Sequence, residues 1–144
     1  MSEILKVDNI RLSAKATLKK EAIAEAGGML VEQGYVAENY ISKMYQREEA
    51  VSTYMGNLLA IPHGTDDAKN EVHQSGLVIL THDQPIDWDG HDVRLVIGIA
   101  GKDNEHLELL SKIAIVCSDL ENVERLLQAK SEEEVLQFFD GVNE

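Results

Sequence analysis

Three short runs constrain the fold of this chain more than any other feature: residues 58–61 ("LLAI"), 76–81 ("GLVILT") and 93–100 ("VRLVIGIA"). Each is apolar at nearly consecutive positions, not at alternate ones. A strand with one face in water alternates, whereas a strand without alternation is covered on both faces. Such runs are also too short for a fully buried helix. The segments between and around them carry helical spacing, so strands and helices are interspersed. The expected class is therefore α/β: a single domain over residues 1–144, with a mixed β-sheet flanked on both faces by α-helices. A length of 144 residues suits one such domain.

The helical segments read as follows. One helix fits residues 17–33, capped by Thr17, with Leu18, Ala22, Ala26, Met29 and Leu30 on one face. Gly27 and Gly28 lie inside it, where they permit close helix packing, and Gly34 supplies the stop. A second helix fits residues 38–47, with Tyr40, Ile41 and Met44 as its apolar stripe. Residues 7–12 read as a short strand, and Asp89-Gly90 between alternating pieces signals a hairpin. From Asn104 the pattern places Leu107, Leu110, Ile113, Ala114 and Cys117 on one helix face, which makes Cys117 a small core residue. Two further helices fit residues 122–128 and 131–139, the last opened by a Ser131–Glu134 capping box.

Composition excludes several functions. The formal net charge of −13 would repel nucleic acid and anionic membrane surfaces, and the few aromatics give no base-stacking platform. The same charge suits a basic protein partner. One cysteine allows neither an internal disulfide nor a zinc framework of thiolates. The N-terminal residues lack the layout of a signal peptide, and no run reaches the length of a membrane span. The expected location is cytoplasmic.

Two of the five histidines stand out. His73, His82 and His91 lie in polar or turn-like surroundings and read as solvated. His63 follows the strand end "AIP" and precedes Gly64, which leaves the approach to the imidazole open. Ligands bind at such carboxyl ends of strands in α/β sheets. His106, in "GKDNEHLELL", falls in the first turn of a helix capped by Asp103 or Asn104, where free N–H groups and the helix dipole favour an anion such as phosphate. Three chemistries remain open on these residues. A metal site would add Asp66 and Asp67, but the spacing matches no ligand signature. A general base would need an activated nucleophile, and no such context appears. The imidazole as nucleophile would carry a group covalently, with His106 and an arginine to balance a phosphoryl charge.

Residues 47–69, "REEAVSTYMGNLLAIPHGTDDAK", resemble the active-site segment of the mannitol/fructose class of enzyme IIA in the bacterial phosphoenolpyruvate-dependent sugar phosphotransferase system. Residues 94–114, "RLVIGIAGKDNEHLELLSKIA", resemble its second signature, and the likeness extends over essentially the whole chain. It implies a phosphocarrier without cofactor or metal. His63 would accept a phosphoryl group from the phosphocarrier protein HPr, as a tele-phosphohistidine intermediate, and pass it to a cysteine of a mannitol-type enzyme IIB (free or joined to IIC as IICB). His106 would stabilise the phosphoryl group, Arg47 would balance charge, and Asn57, Gly64 and Thr65 would line the pocket. Some mannitol-type members carry glutamate where this chain has Asn57, and an amide cannot serve as a carboxylate base. With no IIB or IIC segment in view, the chain resembles a freestanding IIA closest to the mannitol branch. A regulatory relative using the same phosphohistidine, a metal-dependent hydrolase on His63, His106 and Asp67, and a purely structural adaptor are the rival readings.

Overall fold

In the computed structural model, residues 4–139 are described. Five strands form one sheet: β1 (Ile10–Arg11), β2 (Tyr54–Gly56), β3 (Leu59–Ala60), β4 (Gly76–Trp88) and β5 (His91–Ala100). Their order is β1-β4-β5-β3-β2. β1 pairs parallel to β4, and β3 parallel to β5, while β4–β5 and β2–β3 are antiparallel. The sheet is mixed, as its sequence implied.

The apolar runs are buried on both faces. Along β4, Leu77 and Ile79 join one core, and Val78 and Leu80 the other. Along β5, Leu95, Ile97 and Ile99 oppose Val96 and Ala100 in the same way. Helices α1 (Lys19–Glu32) and α2 (Asn39–Ala50) cover one face through Ala22, Ile23, Ala26, Leu30 and Met44. Helices α3 (His106–Cys117), α4 (Leu120–Leu127) and α5 (Glu132–Phe138) cover the other through Leu109, Ile113, Val123, Leu126 and Val135. Each fully buried Leu or Ile contributes about 1.5–3 kcal/mol, so sandwiching the sheet is the dominant stabilising term.

Several local expectations shift. The first helix begins at Lys19, not Thr17; Glu21 instead reaches back to accept from the Thr17 and Leu18 amides at 3.0 and 3.2 Å. At Gly27 an added Cβ would stand 2.7 Å from Ile41 Cγ1, so this glycine permits the close α1–α2 approach, whereas nothing crowds Gly28. Residues 7–12 split into a 3-10 turn, Val7–Asn9, and β1. The two long apolar runs belong to one hairpin, turned at Asp89-Gly90 with both φ angles positive (56° and 94°), as a primed two-residue turn requires. Helix α4 starts at Leu120, two residues early, because Asp119 caps it by accepting from the Glu121 amide. Ser131 caps α5 by accepting from the Glu134 amide at 3.2 Å.

The face of α3 is the clearest correction. Leu109, Ile113, Val116 and Cys117 are buried, but Leu107 is 73% exposed and Ala114 is also exposed. Apolar residues form a broad arc opposite Glu108, Ser111 and Lys112, so periodicity alone offered two overlapping stripes. His82 is a second correction: it is buried in a β-bulge between Thr81 and Ile86, with Nδ1 3.1 Å from the Arg94 carbonyl. His91 and His73 are exposed as expected, though the His91 ring stacks on Tyr54.

Candidate active site

β3 and β5 run parallel, so their carboxyl ends lie on the same edge of the sheet. The chain leaves β3 through Ile61 and Pro62, and the Ile99 amide donates to the Pro62 carbonyl at 3.1 Å. His63 is thereby bridged to Ile99 in parallel register. β5 ends one residue later, at Ala100, and Gly101 leads into α3, whose first residue is His106. A Cβ on Gly101 would stand 2.8 Å from His106 Cα, so glycine is what lets the loop pass beneath the helix start. The two histidines, forty-odd residues apart in the chain, meet with ring centroids 4.6 Å apart and planes tilted by 48°.

His63 is half-buried, and its Nδ1 lies 2.8 Å from the Ile61 carbonyl. A carbonyl only accepts, so Nδ1 carries the proton and Nε2 keeps its lone pair. Burial is the main cause that pushes the His63 pKa down, to about 4. The Ile61 hydrogen bond and the charge of Glu48 work against that shift, while His106 and Arg47 reinforce it. The His106 pKa is also lowered, first by burial and then by Arg47, against the pull of Asp66. Both rings are therefore neutral at pH 7. A neutral imidazole with a free Nε2 is a nucleophile; a protonated one is not.

Gly64 does more than leave space. Its amide donates to the Tyr40 hydroxyl at 2.9 Å, and the Tyr40 hydroxyl donates to the Ile99 carbonyl at 2.8 Å. A Cβ on Gly64 would lie 2.6 Å from the Tyr40 ring. Tyr40 thus rivets the His63–Gly64 turn onto β5. Sequence reasoning saw Tyr40 only as an apolar-stripe residue and missed this hydroxyl. A small cleft opens between His63, Gly64, Thr65, Lys69 and His106. The Thr65 hydroxyl donates to Asp67 at its rim, and Asp67 pairs with Lys43 at 3.6 Å. Asp67 is thus engaged away from the two rings, and among the described residues no three His, Cys, Asp or Glu side chains gather to hold a metal ion.

The family model for the phosphoenolpyruvate-dependent sugar phosphotransferase system, EIIA 2, matches residues 3–141. This chain belongs to that family. A mannitol-specific phosphotransferase enzyme IIA component from Halalkalibacterium halodurans is 57% identical over 141 residues, covering 98% of this chain and 97% of the relative. Among solved structures, enzyme IIA-mannitol in complex with phosphorylated enzyme IIB-mannitol from Escherichia coli matches with a TM-score of 0.89 at 38% identity, covering 95% of this chain and 97% of that one. The crystal structure of IIA-mannitol from Escherichia coli matches with a TM-score of 0.87, also at 38% identity, covering 94% of this chain and 98% of that one.

In this enzyme IIA, the remaining expected residues fall in two places. Arg47, near the end of α2, donates from Nη1 to the Val51 carbonyl at 2.6 Å, and its charge is felt by both histidines. Asn57 lies apart from the histidine cleft. It sits in the β2–β3 turn with φ +52° and donates from Nδ2 to the Cys117 carbonyl at 3.0 Å. There it borders a groove of about 720 Å³ lined by Met55, Leu59, Ile61, Leu107, Leu110 and Cys117, among others. Cys117 is buried, and burial raises its thiol pKa to about 12, which leaves it inert as a nucleophile. No helix among the described residues is long and apolar enough to cross a membrane.

Proposed function

We propose that this protein is a mannitol phosphocarrier acting in the cytoplasm as a single enzyme IIA domain over residues 1–144. It takes a phosphoryl group from the phosphohistidine of HPr onto Nε2 of His63. It then passes the group to the active cysteine of a mannitol-type enzyme IIB. The observation that carries this reading is the Nδ1–Ile61 hydrogen bond beside His106. It holds a neutral imidazole in the one tautomer that aims a lone pair into the cleft.

The steps balance without proton transfer at His63. As the donor's N–P bond breaks, an N–P bond forms at Nε2, and the donor imidazole leaves. In the second step that N–P bond breaks as a thiolate of enzyme IIB forms an S–P bond. Such a phosphoryl group passes in line with little covalent demand on the protein, so position and charge dominate. His106 donates to the phosphoryl oxygens, and the start of α3 and the Arg47 guanidinium supply positive field. Gly64 and Thr65 shape the cleft, while Asn57 shapes the apolar groove beside it. That groove is lined by Ile61 and Leu107, each within two residues of a cleft histidine, and is flanked by exposed Met55, so it offers a transient carrier an apolar seat beside the cleft.

Reconstitution with phosphoenolpyruvate, enzyme I and HPr tests the reading by mass spectrometry. Wild type should gain one acid-labile phosphate, His63→Ala none, and His106→Ala the same phosphate more slowly. Added mannitol-type IIB should drain the label. Phosphate retained on His63→Ala would refute the acceptor assignment. Label that stays on the wild type in the presence of IIB would favour a regulatory phosphoprotein.

A further inference from the structure

The most unusual side chain outside the cleft is Glu48. It is a carboxylate only 5% exposed, and charged side chains are almost never buried unless paired. It lies on α2 one turn after buried Met44, on the inward face, while its neighbour Arg47 turns toward the histidines. Its oxygens are engaged from three directions. The Trp88 indole Nε1 donates at 3.0 Å, and the Thr53 amide donates at 3.1 and 3.2 Å to the two oxygens. The Thr53 hydroxyl donates at 2.5 Å, and Lys19 Nζ stands at 3.6 Å.

This clamp is connected to the reacting ring. Thr53, held by Glu48, accepts the Ile61 amide on its carbonyl at 3.1 Å. Ile61 in turn accepts His63 Nδ1–H on its own carbonyl. The path from Glu48 to the imidazole therefore runs through two backbone units, each with a direct hydrogen bond. The loop from α2 to β2 is pinned twice, since Arg47 also holds the Val51 carbonyl. A buried carboxylate with four donors is a poor choice for simple packing, because a well-packed apolar residue would serve stability as well. It is a good choice for fixing a loop against several elements at once.

We propose that Glu48 is a positioning residue for phosphoryl transfer: through Thr53 and Ile61 it sets the orientation and tautomer of the His63 imidazole. The inference rests on the reading of His63 as acceptor and assigns Glu48 no contact with the phosphoryl group. Its glutamine isostere keeps the volume but offers one acceptor oxygen and no charge for Lys19; whichever way the amide lies, its NH₂ meets a group that only donates, the Thr53 amide or the Trp88 indole, and only the Thr53 hydroxyl can turn to accept. Thr53 should then shift, and with it the Ile61 carbonyl.

The test uses the full chain with phosphorylated HPr as donor, comparing wild type, Glu48→Gln and the milder Thr53→Val, which loses only the hydroxyl. Long-range ¹H–¹⁵N spectra of the free protein read the His63 tautomer, and the Trp88 indole N–H resonance reports whether the clamp is formed. In Glu48→Gln the Nδ1–H share should fall and kcat should drop roughly 10- to 100-fold with KM little changed, as expected for a misplaced reacting group. Thr53→Val should move both readouts the same way by less. A wild-type tautomer and kcat in a folded Glu48→Gln, or a rise in KM alone, would overturn the proposal. If Glu48→Gln does not fold, Thr53→Val decides by the same criteria. A wild-type chain that takes no phosphate on His63 overturns the acceptor reading and this role with it. Normal wild-type labelling with unaffected variants overturns only the role of Glu48.

Discussion

Tyr40→Phe isolates one atom whose loss should be felt in both stability and transfer. The side chain is 4% exposed, and phenylalanine fills the same volume, so no cavity forms. What disappears is the hydroxyl that donates to the Ile99 carbonyl at 2.8 Å and accepts from the Gly64 amide at 2.9 Å. Ile99 is fully buried, so its carbonyl has no water to turn to, and an orphaned buried acceptor costs ~1–3 kcal/mol. Gly64 is half-buried, so its amide can recover a water and adds a few tenths to ~1 kcal/mol. The expected loss is therefore ~2 kcal/mol. With a urea m-value of ~2 kcal/mol/M, the midpoint should fall by ~1 M at unchanged m. Trp88, the single tryptophan and fully buried, is the fluorescence reporter. Because the same hydroxyl rivets the His63–Gly64 turn, phosphate acceptance at His63 should slow by roughly tenfold. A change in stability within ~0.5 kcal/mol, the range of an ordinary surface substitution, would refute the view that this hydroxyl joins the turn to the sheet.

Three other outcomes follow from the same geometry. Titration of His63 by NMR should give a midpoint near 4, well below the ordinary 6.5. Between those values the unfolded chain holds a proton that the folded one refuses, so stability should decline as pH falls through that window; His82 and His106 are shifted in the same direction, and a midpoint near 6.5 would contradict the burial argument. Arg47→Ala should slow transfer by ~100-fold, as loss of a charge-stabilising donor does. It should also raise the titration midpoints of both histidines, because the Arg47 charge lowers each; unmoved midpoints would place the guanidinium away from the site. Gly101→Ala pushes a methyl to within 2.8 Å of His106 Cα. It should cost ~1–3 kcal/mol by overpacking and cut the rate of transfer, measured as initial labelling velocity, whereas a wild-type rate would mean that α3 need not start where it does.

How much of this was legible beforehand differs by residue. "IPHG" pointed to His63 because proline ends the run and glycine follows it, and both signals are local. His106 was legible as a first-turn residue suited to an anion and, by resemblance, as the phosphoryl stabiliser; that its ring meets His63 required β3 and β5 to be parallel neighbours. Tyr40 and Glu48 looked ordinary, one in an apolar stripe and the other just past the expected end of the second helix. Their roles rest on a hydroxyl and a carboxylate meeting groups from other elements. His82 read as solvated because turn-like residues surround it, but the bulge in β4 folds it inward. Asn57 was placed with the phosphoryl pocket by resemblance, and it faces the groove and Cys117 instead.

The sequence by itself determined that this chain builds a two-sided α/β sheet, because consecutive apolar residues in short strands admit no solvent-facing side. It also determined where the strands stop, through Pro62 and the Asp89-Gly90 turn, since those residues restrict their own backbone. Tertiary structure alone decided which stripe of α3 is buried, that the His106 ring meets the His63 ring, and how the Ile61 carbonyl holds Nδ1 of His63. Those outcomes depend on pairings between residues distant in the chain, such as Pro62 with Ile99 and His63 with His106, and no local periodicity encodes them.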